Sequence, residues 1–159
     1  MRLEYDLLTR RVEHLLARYI GCIDQDELEN WPQFFTADGL YRITSRQSQA
    51  RGLAAGLWYC RGHGMLHDRI NALRRANIYE PHYYRHLLSG TRLVRQEPAG
   101  WRFHTNFQVT RTMHTGEMTV FAVGLFDDLI VEHDGVLLFK EKSVICDSSR
   151  IDTLLVLPL

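Results

Sequence analysis

Hydrophobic residues recur every three or four positions over the first part of the chain, and charged residues fill many of the positions between them. A period near 3.6 residues predicts an amphipathic helix from about Leu3 to Ile23, with one side packed on an apolar surface. A short helix is expected next, capped by Asp24 and Asp26 and kinked or broken at Pro32. The positions with helical spacing in the first helix are Leu8, Val12, Leu15, Leu16, Tyr19 and Ile23.

An aromatic-rich stretch follows, in which Trp31, Phe34 and Phe35 are spaced to cover one side of a helical segment. The Asp38-Gly39 pair is a turn signal, and residues 41–44 then alternate as a strand does. We therefore expect the aromatic rings to plug the inside of a curved sheet. That arrangement predicts a cone-shaped α+β fold.

The middle of the chain predicts a loop and then a helix. The polar residues 46–51 and the small residues 52–56 favour a surface loop. A helix is expected between Gly64 and Asn77, because Asn77 suits a helix end and the segment keeps a helical period. The apolar positions of that period are Met65, Leu66, Ile70 and Leu73, and Arg69, Arg74 and Arg75 lie largely off it.

From Tyr83 onward the pattern has a period of two, which indicates strands joined by tight turns. Helices first and an antiparallel meander afterwards predict an α+β layout in a single domain covering residues 1–159. The apolar tail, residues 153–159, is expected to pack on a partner or along its own sheet. The predicted strands are Tyr84–Gln96, Trp101–Met113, Met118–His133 and Val136–Asp147.

Charge and composition narrow the classes of partner. The 19 basic and 19 acidic residues cancel, and there is no long run of like charge, so nucleic acid and membrane surfaces are not expected partners. No apolar run approaches the ~18 residues of a membrane span. Cys22, Cys60 and Cys146 lack short pair spacing and fit reduced thiols. A cytoplasmic protein is expected.

Metal and nucleophile motifs are incomplete in this sequence. His63 and His67 are four residues apart, but the predicted helix begins near Gly64 and leaves His63 at its end. Cys60-Arg61-Gly62-His63 matches only the second half of a Rieske motif, and no histidine has an aspartate three residues before it. No cofactor or metal is therefore predicted in this chain.

Acid–base chemistry in an apolar pocket is the enzymatic alternative that stays open. Asp38, Tyr41, His86 and Asp147 are the candidate residues for such a pocket. Against this hypothesis, Asp38 is explained by its turn with Gly39, and His86 by a place in the core. A free-standing isomerase, dehydratase or small-ligand binder that uses an Asp/His pair is the alternative function.

Several segments resemble the small, or beta, subunits of aromatic-ring-hydroxylating dioxygenases, and the resemblance covers nearly the whole chain. It is greatest to the terephthalate type and extends to the small subunits of salicylate hydroxylases. Residues 77–80, 152–154 and 157–159 also have counterparts in the terephthalate type. The segments that carry the resemblance are Trp31–Phe35, Asp68–Ile70 with Leu73-Arg74, Tyr79–His86 and Cys146–Ser148.

This resemblance implies a cystatin-like, NTF2-like cone, with a curved and largely antiparallel sheet and the N-terminal helices packed in its concavity. It further implies a non-catalytic structural subunit that forms a trimer beneath three catalytic alpha subunits, as alpha3beta3. In that family the alpha subunit carries the Rieske 2Fe-2S cluster and the mononuclear Fe(II). No catalytic residue carries over to this chain, and the aromatic substrate stays open, as does the choice between dioxygenation and monohydroxylation.

A subunit-interface role predicts that aromatic, arginine and apolar side chains make the contacts, because these side chains contribute most at interfaces. We expect the sheet and the tail to hold the trimer, and the arginines between residues 69 and 75 to reach the alpha subunit. The candidate interface residues are Arg69, Arg74, Tyr83, Tyr84, Arg85, Trp101, Leu157 and Leu159.

Overall fold

The computed structural model describes residues 1–52, 58–76, 80–150 and 157–159. Helices and strands alternate at first, and four long strands follow. The elements are α1 (Arg2–Asp24), a short 3-10 helix (Leu28–Phe34), β1 (Phe35–Ser45), α2 (Arg46–Ala50), β2 (Trp58–Arg61), α3 (Gly62–Ala76), β3 (His82–Gln96), β4 (Trp101–Met113), β5 (Met118–His133) and β6 (Val136–Cys146).

A six-stranded sheet in the order β2-β1-β6-β5-β4-β3 forms the body of the molecule. The last four strands form the predicted antiparallel meander. β1 adds to it in parallel beside β6, and β2 pairs antiparallel with β1. Because α1, α3 and the 3-10 helix pack against this sheet or against one another, the predicted α+β layout with a largely antiparallel sheet is confirmed.

Helix α1 buries the side that its hydrophobic period predicted, from Leu8 to Ile23. The predicted capping of the next helix was wrong. Glu27 precedes the 3-10 helix and makes no side-chain cap. The carboxylate of Asp24 instead binds His86, and that of Asp26 binds Arg74, so tertiary contacts use both groups.

The Asp38-Gly39 pair was predicted to form a turn after the aromatic segment. In the structure the pair lies inside strand β1. The register between β1 and β6 shifts between Phe35 and Leu40, which is the signature of a bulge. A Cβ at Gly39 would lie 2.9 Å from the Cβ of Phe35 and 3.2 Å from the carbonyl oxygen of Phe139. Glycine is required there because two strands approach closely.

The segment between β1 and α3 departs from the prediction in three ways. Residues 46–50 form α2 rather than a loop, capped by Ser45, whose hydroxyl accepts from the amide of Ser48 at 3.1 Å. β2 was not predicted, and α3 begins at Gly62, so His63 lies inside it. Met65 is exposed, although its spacing predicted burial. Residues 53–56, Asn77 and tail residues 153–156 lie outside the described residues.

Candidate functional site

The inside of the fold is filled by aromatic rings, as the sequence predicted. Trp31, Phe35 and Tyr41 are fully or almost fully buried. The Trp31 ring meets Tyr41 edge-on at 4.9 Å and Phe35 at 5.6 Å between centroids. Its indole nitrogen donates to the hydroxyl of Tyr19 at 3.2 Å. These rings occupy the region where a ligand pocket would otherwise be expected.

Tyr41, a predicted catalytic candidate, anchors the last residues of the chain. Its hydroxyl donates to the carbonyl oxygen of Leu159 at 3.1 Å and accepts from the amide of Leu159 at 2.8 Å. The hydroxyl of Tyr19 donates to the same carbonyl at 2.9 Å. Burial raises the pKa of Tyr19 and of Tyr41 well above 10, so both stay protonated donors.

A buried ion pair, which was not predicted from the sequence, lies beside these rings. Lys142 Nζ is 3.1 and 3.2 Å from the two carboxylate oxygens of Asp128, its partner across β5 and β6. The ammonium also lies 3.7 Å from the ring centroid of Phe126 and 4.5 Å from that of Phe139. Burial raises the pKa of Asp128 to about 6 and lowers the pKa of Lys142. A sequence signal existed: Asp128 occupies an inward position of the alternation, between Phe126 and Ile130.

His86 and Asp24 form a second buried pair, which joins the end of α1 to the edge strand β3. His86 Nδ1 is 2.6 Å from Asp24 Oδ1, and the His86 amide donates to Oδ2 at 2.9 Å. The other ring nitrogen, Nε2, is buried and has no hydrogen-bond partner in the described part of the chain. A carboxylate on Nδ1 with Nε2 left free is the arrangement of a general base. His86 was a candidate predicted from the sequence, but its carboxylate partner was not.

The four predicted catalytic candidates make separate contacts, and the structure does not bring them together as one set. Asp38 is exposed and accepts from the Thr36 hydroxyl at 2.9 Å, a hydrogen bond that lowers the pKa of Asp38. Asp147 is half-exposed and lies 3.8 Å from Arg46. Tyr41 binds the chain end and His86 binds Asp24, so each of the four has a different partner.

Metal-ligating side chains do not converge in the described residues, where no three of the His, Cys, Asp and Glu residues are grouped to hold an ion. His63 Nε2 lies 2.9 Å from the carbonyl oxygen of Phe35, and the rings of His63 and His67 are 6.3 Å apart. Burial raises the pKa of Cys22 to about 11 and that of Cys146 to about 12, which disfavours the thiolate as a ligand. No described helix is long and apolar enough to cross a membrane.

Comparison with known proteins identifies the family. The chain is 46% identical over 143 residues to the beta 1 subunit of the terminal oxygenase component of terephthalate 1,2-dioxygenase from Comamonas sp., covering 90% of this chain and 93% of the relative. The chain belongs to the beta subunits of aromatic-ring-hydroxylating dioxygenases. The small subunit of anthranilate 1,2-dioxygenase from Burkholderia cepacia is 42% identical to this beta subunit over 145 residues, covering 91% and 90% of the two chains.

The fold of this beta subunit matches the family as well. Residues 7–142 match the SnoaL-like domain. A crystal structure assigned to the beta subunits of aromatic-ring-hydroxylating dioxygenases, from Novosphingobium aromaticivorans, superimposes with a TM-score of 0.88 at 32% identity, covering 97% of this chain and 98% of the other. The predicted family and its cone-like fold are therefore confirmed.

The structure divides the predicted interface residues of the beta subunit into exposed and buried groups. Tyr83 is 74% exposed, Arg69 and Arg85 are exposed, and Trp101 is half-buried. Tyr84, Leu157 and Leu159 are instead buried within the chain, so their side chains leave no surface for a partner. The tail was expected to pack either on a partner or along its own sheet. Its last residues therefore pack within their own chain.

The two predicted arginine anchors on α3 contact their own chain. Arg74 Nε lies 2.7 Å from Glu29 Oε1, and Arg74 Nη1 lies 2.9 Å from Asp26 Oδ1. The Arg69 guanidinium lies 4.3 Å from the ring centroid of Trp58. Both arginines therefore hold α3 to neighbouring elements of the same subunit.

Proposed function

We propose that this chain is a structural, non-catalytic beta subunit of a terminal oxygenase that acts on an aromatic carboxylate. Identity to the terephthalate and anthranilate dioxygenase subunits supports the substrate class. The observation that carries the structural role is the filled interior, where Trp31 and its neighbours occupy the space a pocket of ~300 Å³ would need. The substrate ring is then bound by the partner subunit.

The proposed partner is a cytoplasmic alpha subunit that carries the Rieske 2Fe-2S cluster and the mononuclear Fe(II), within an alpha3beta3 assembly. Support comes from the side chains themselves, because no described group of His, Cys, Asp and Glu in this chain offers a ligand set. This chain then contributes shape and contact surface to the assembly.

Self-association is assigned in this proposal to the outer face of the sheet. Exposed apolar residues on β3 and β5 form an outer sheet patch, and Arg85 lies on the same face of β3. Large exposed apolar patches mark association surfaces. The occupant we propose is a second copy of this chain. The patch consists of Tyr83, Leu87, Met118, Val120 and Val123.

One observation favours the alternative of a free-standing isomerase, dehydratase or small-ligand binder. The Asp24–His86 pair has the geometry of a general base with a free Nε2. An enzyme of this kind would use that nitrogen to remove a proton from its substrate. Against it, the buried Nε2 of His86 does not line the neighbouring cavity of about 270 Å³, whose lining includes Asp24, His82 and Tyr84.

Copurification and product analysis test the proposed function. The chain is coexpressed with an oxygenase large subunit, and turnover of terephthalate and of salicylate is measured for the complex and for this chain alone. We expect products from the complex only.

His86→Gln should leave the turnover number of the assembled complex within about twofold of the wild type. A loss of about 100-fold with assembly intact, as for a missing general base, would assign a catalytic role to this chain.

A further inference from the structure

Helix α1 has a second ordered side, which faces away from the core. Leu3, Leu7, Arg10, His14 and Arg18 follow one another at spacings of four, three, four and four residues, and we call this row the outer seam. Such spacing aligns side chains along one side of a helix, as in helices that pack on a partner helix. Every residue of the seam is exposed, with Leu3 at 84% and Leu7 at 62%.

The basic residues of the outer seam differ from those arginines of the chain that form ion pairs. Arg11 pairs with Glu132 at 2.6 Å, Arg74 with Asp26 and Glu29, and Arg102 with Glu97 and Glu141. Within the described residues, Arg10, His14 and Arg18 form no ion pair with any carboxylate. The Arg18 guanidinium lies 5.5 Å from the ring centroid of Phe34.

Two adjoining grooves run beside the seam, and their character changes along the helix. The first, of about 320 Å³, is lined by residues that include Tyr5, Leu7 and Trp101. The second, of about 390 Å³, lies against the β5–β6 turn and is lined by residues that include Arg10, His14, Arg18 and Val136. Arg11 lines both grooves. The groove at the start of α1 thus combines apolar side chains with Glu4 and Glu132, and the second groove holds the basic side chains of the seam.

We infer that the outer seam and these grooves are the docking site for the catalytic large subunit. The segment that docks carries apolar side chains against Leu3, Leu7 and Trp101 and carboxylates against Arg10 and Arg18. Charge complementarity selects this chemistry, because a row of unpaired cations attracts and orients an acidic partner. The inference rests on the proposed function, and it moves the arginine contact from α3 to α1.

A second copy of this chain fits the seam less well. Among the described residues, Asp6 and Glu13 on α1 are exposed acidic side chains without a basic partner, and they lie seven residues apart. Others, such as Asp68 on α3 and Asp134 in the turn after β5, lie singly on separate elements. The row formed by Arg10, His14 and Arg18 is matched better by an acidic segment of a different subunit.

Charge reversal of the seam tests the docking site. The tagged large subunit and this chain are coexpressed, and dissociation of the purified complex is followed by mass photometry on dilution, at low and at high salt. We expect Arg10→Glu with Arg18→Glu to weaken the complex by about tenfold or more and to flatten its salt dependence. Leu7→Ala should weaken the complex and leave the salt dependence unchanged.

A matched control separates the site from net charge. Arg51→Glu with Arg75→Glu changes the charge by the same amount at two exposed arginines outside the seam, and it should leave the affinity unchanged. Circular dichroism melts of each variant check that folding is intact. Equal weakening by the control and the seam variant would overturn the assignment, because the effect would then follow net charge.

Other outcomes discriminate between the docking site and the proposed function. Normal affinity of the Arg10/Arg18 variant for the large subunit would overturn the docking site alone. Loss of self-association by that variant, with large-subunit binding retained, would assign the seam to a second copy and would also overturn it. If the wild-type chain fails to bind the large subunit at all, the proposed function and the docking site fall together.

Discussion

The two sides of helix α1 differ in whether their polar side chains have partners within the subunit. On its inward side the hydroxyl of Tyr19 is fully hydrogen-bonded, receiving from Trp31 and donating to Leu159. On its outward side Arg10 and His14 are exposed, and no carboxylate in the described part of the chain pairs with them. The inward side therefore packs in the core of the subunit. The residues of the outer seam add no ion pair to the fold within the described residues.

The difference follows from the cost of dehydration. A polar group removed from water destabilises the fold unless the chain supplies a partner, so Lys142 has Asp128 and Tyr41 has the end of the chain. An exposed cation keeps its water and needs no partner for folding. The exposed basic side chains and leucines of the outer seam are therefore available for a contact outside the subunit. Among the buried polar groups, His86 Nε2 is an exception, because it has no hydrogen-bond partner in the described residues.

The largest effect is expected from emptying the interior. Trp31→Ala removes a fully buried ring and its hydrogen bond, and should lower the free energy of unfolding by about 3–5 kcal/mol. Urea denaturation measures the change. Trp101→Ala is the matched control, since that ring is half-buried and should cost clearly less. Equal losses would mean that the interior is not the main source of stability.

The buried ion pair gives the next test of the inward side. Asp128→Leu leaves the Lys142 ammonium buried without its carboxylate and should cost about 3–5 kcal/mol of unfolding free energy. Adding Lys142→Met should recover that loss, because an apolar pair avoids the dehydration of two charges. Urea denaturation measures the unfolding free energy of both variants. A double variant as unstable as the single one would show that the ion pair itself stabilises the core.

A smaller, pH-dependent effect is expected at the Arg74 cluster. The Arg74 hydrogen bond lowers the pKa of Glu29 below its ordinary value of 4.5, so its stabilising effect is present above that pH. It is lost as the pH falls through the lowered pKa. The unfolding free energies of wild type and Arg74→Met should therefore differ above pH 4.5, by at most about 1 kcal/mol at this exposed site, and converge in acid. A pH-independent difference would contradict the assignment.

The smallest effect on folding is expected on the outward side. Leu7→Ala should change the unfolding free energy of the isolated chain by less than about 0.5 kcal/mol. Leu16→Ala, on the inward side of the same helix, should cost about 2–5 kcal/mol. Thermal and urea denaturation of the two variants compare the sides directly. A large loss for Leu7→Ala would show that the seam belongs to the core of this subunit.

Periodicity alone located α1, α3, the meander and the aromatic filling, because each depends on neighbours within a few residues. It failed where distant residues decide the conformation. The Asp38-Gly39 pair reads as a turn in isolation, yet the close approach of β6 makes it a bulge in β1. β2 was missed because its four residues become a strand through pairing with β1.

The candidate site was predictable only in part. His86 could be identified as a chemistry-bearing residue, but Asp24 lies 62 positions away and reads locally as a helix cap. The tail illustrates the same limit, since hydrophobicity predicts that Leu157 and Leu159 are buried but not in which chain. The hydroxyls of Tyr19 and Tyr41 place the last residue inside its own subunit.

Residue types and their spacing are enough to predict the family, the order of helices and meander, and the absence of recognisable catalytic motifs. The folded arrangement is needed to know which charged side chains form ion pairs and which do not. Arg74 and Arg10 are the same residue type, but folding brings two carboxylates to Arg74 and, among the described residues, none to Arg10. Pairing depends on distances between segments remote in the chain, and those distances exist only in the folded protein.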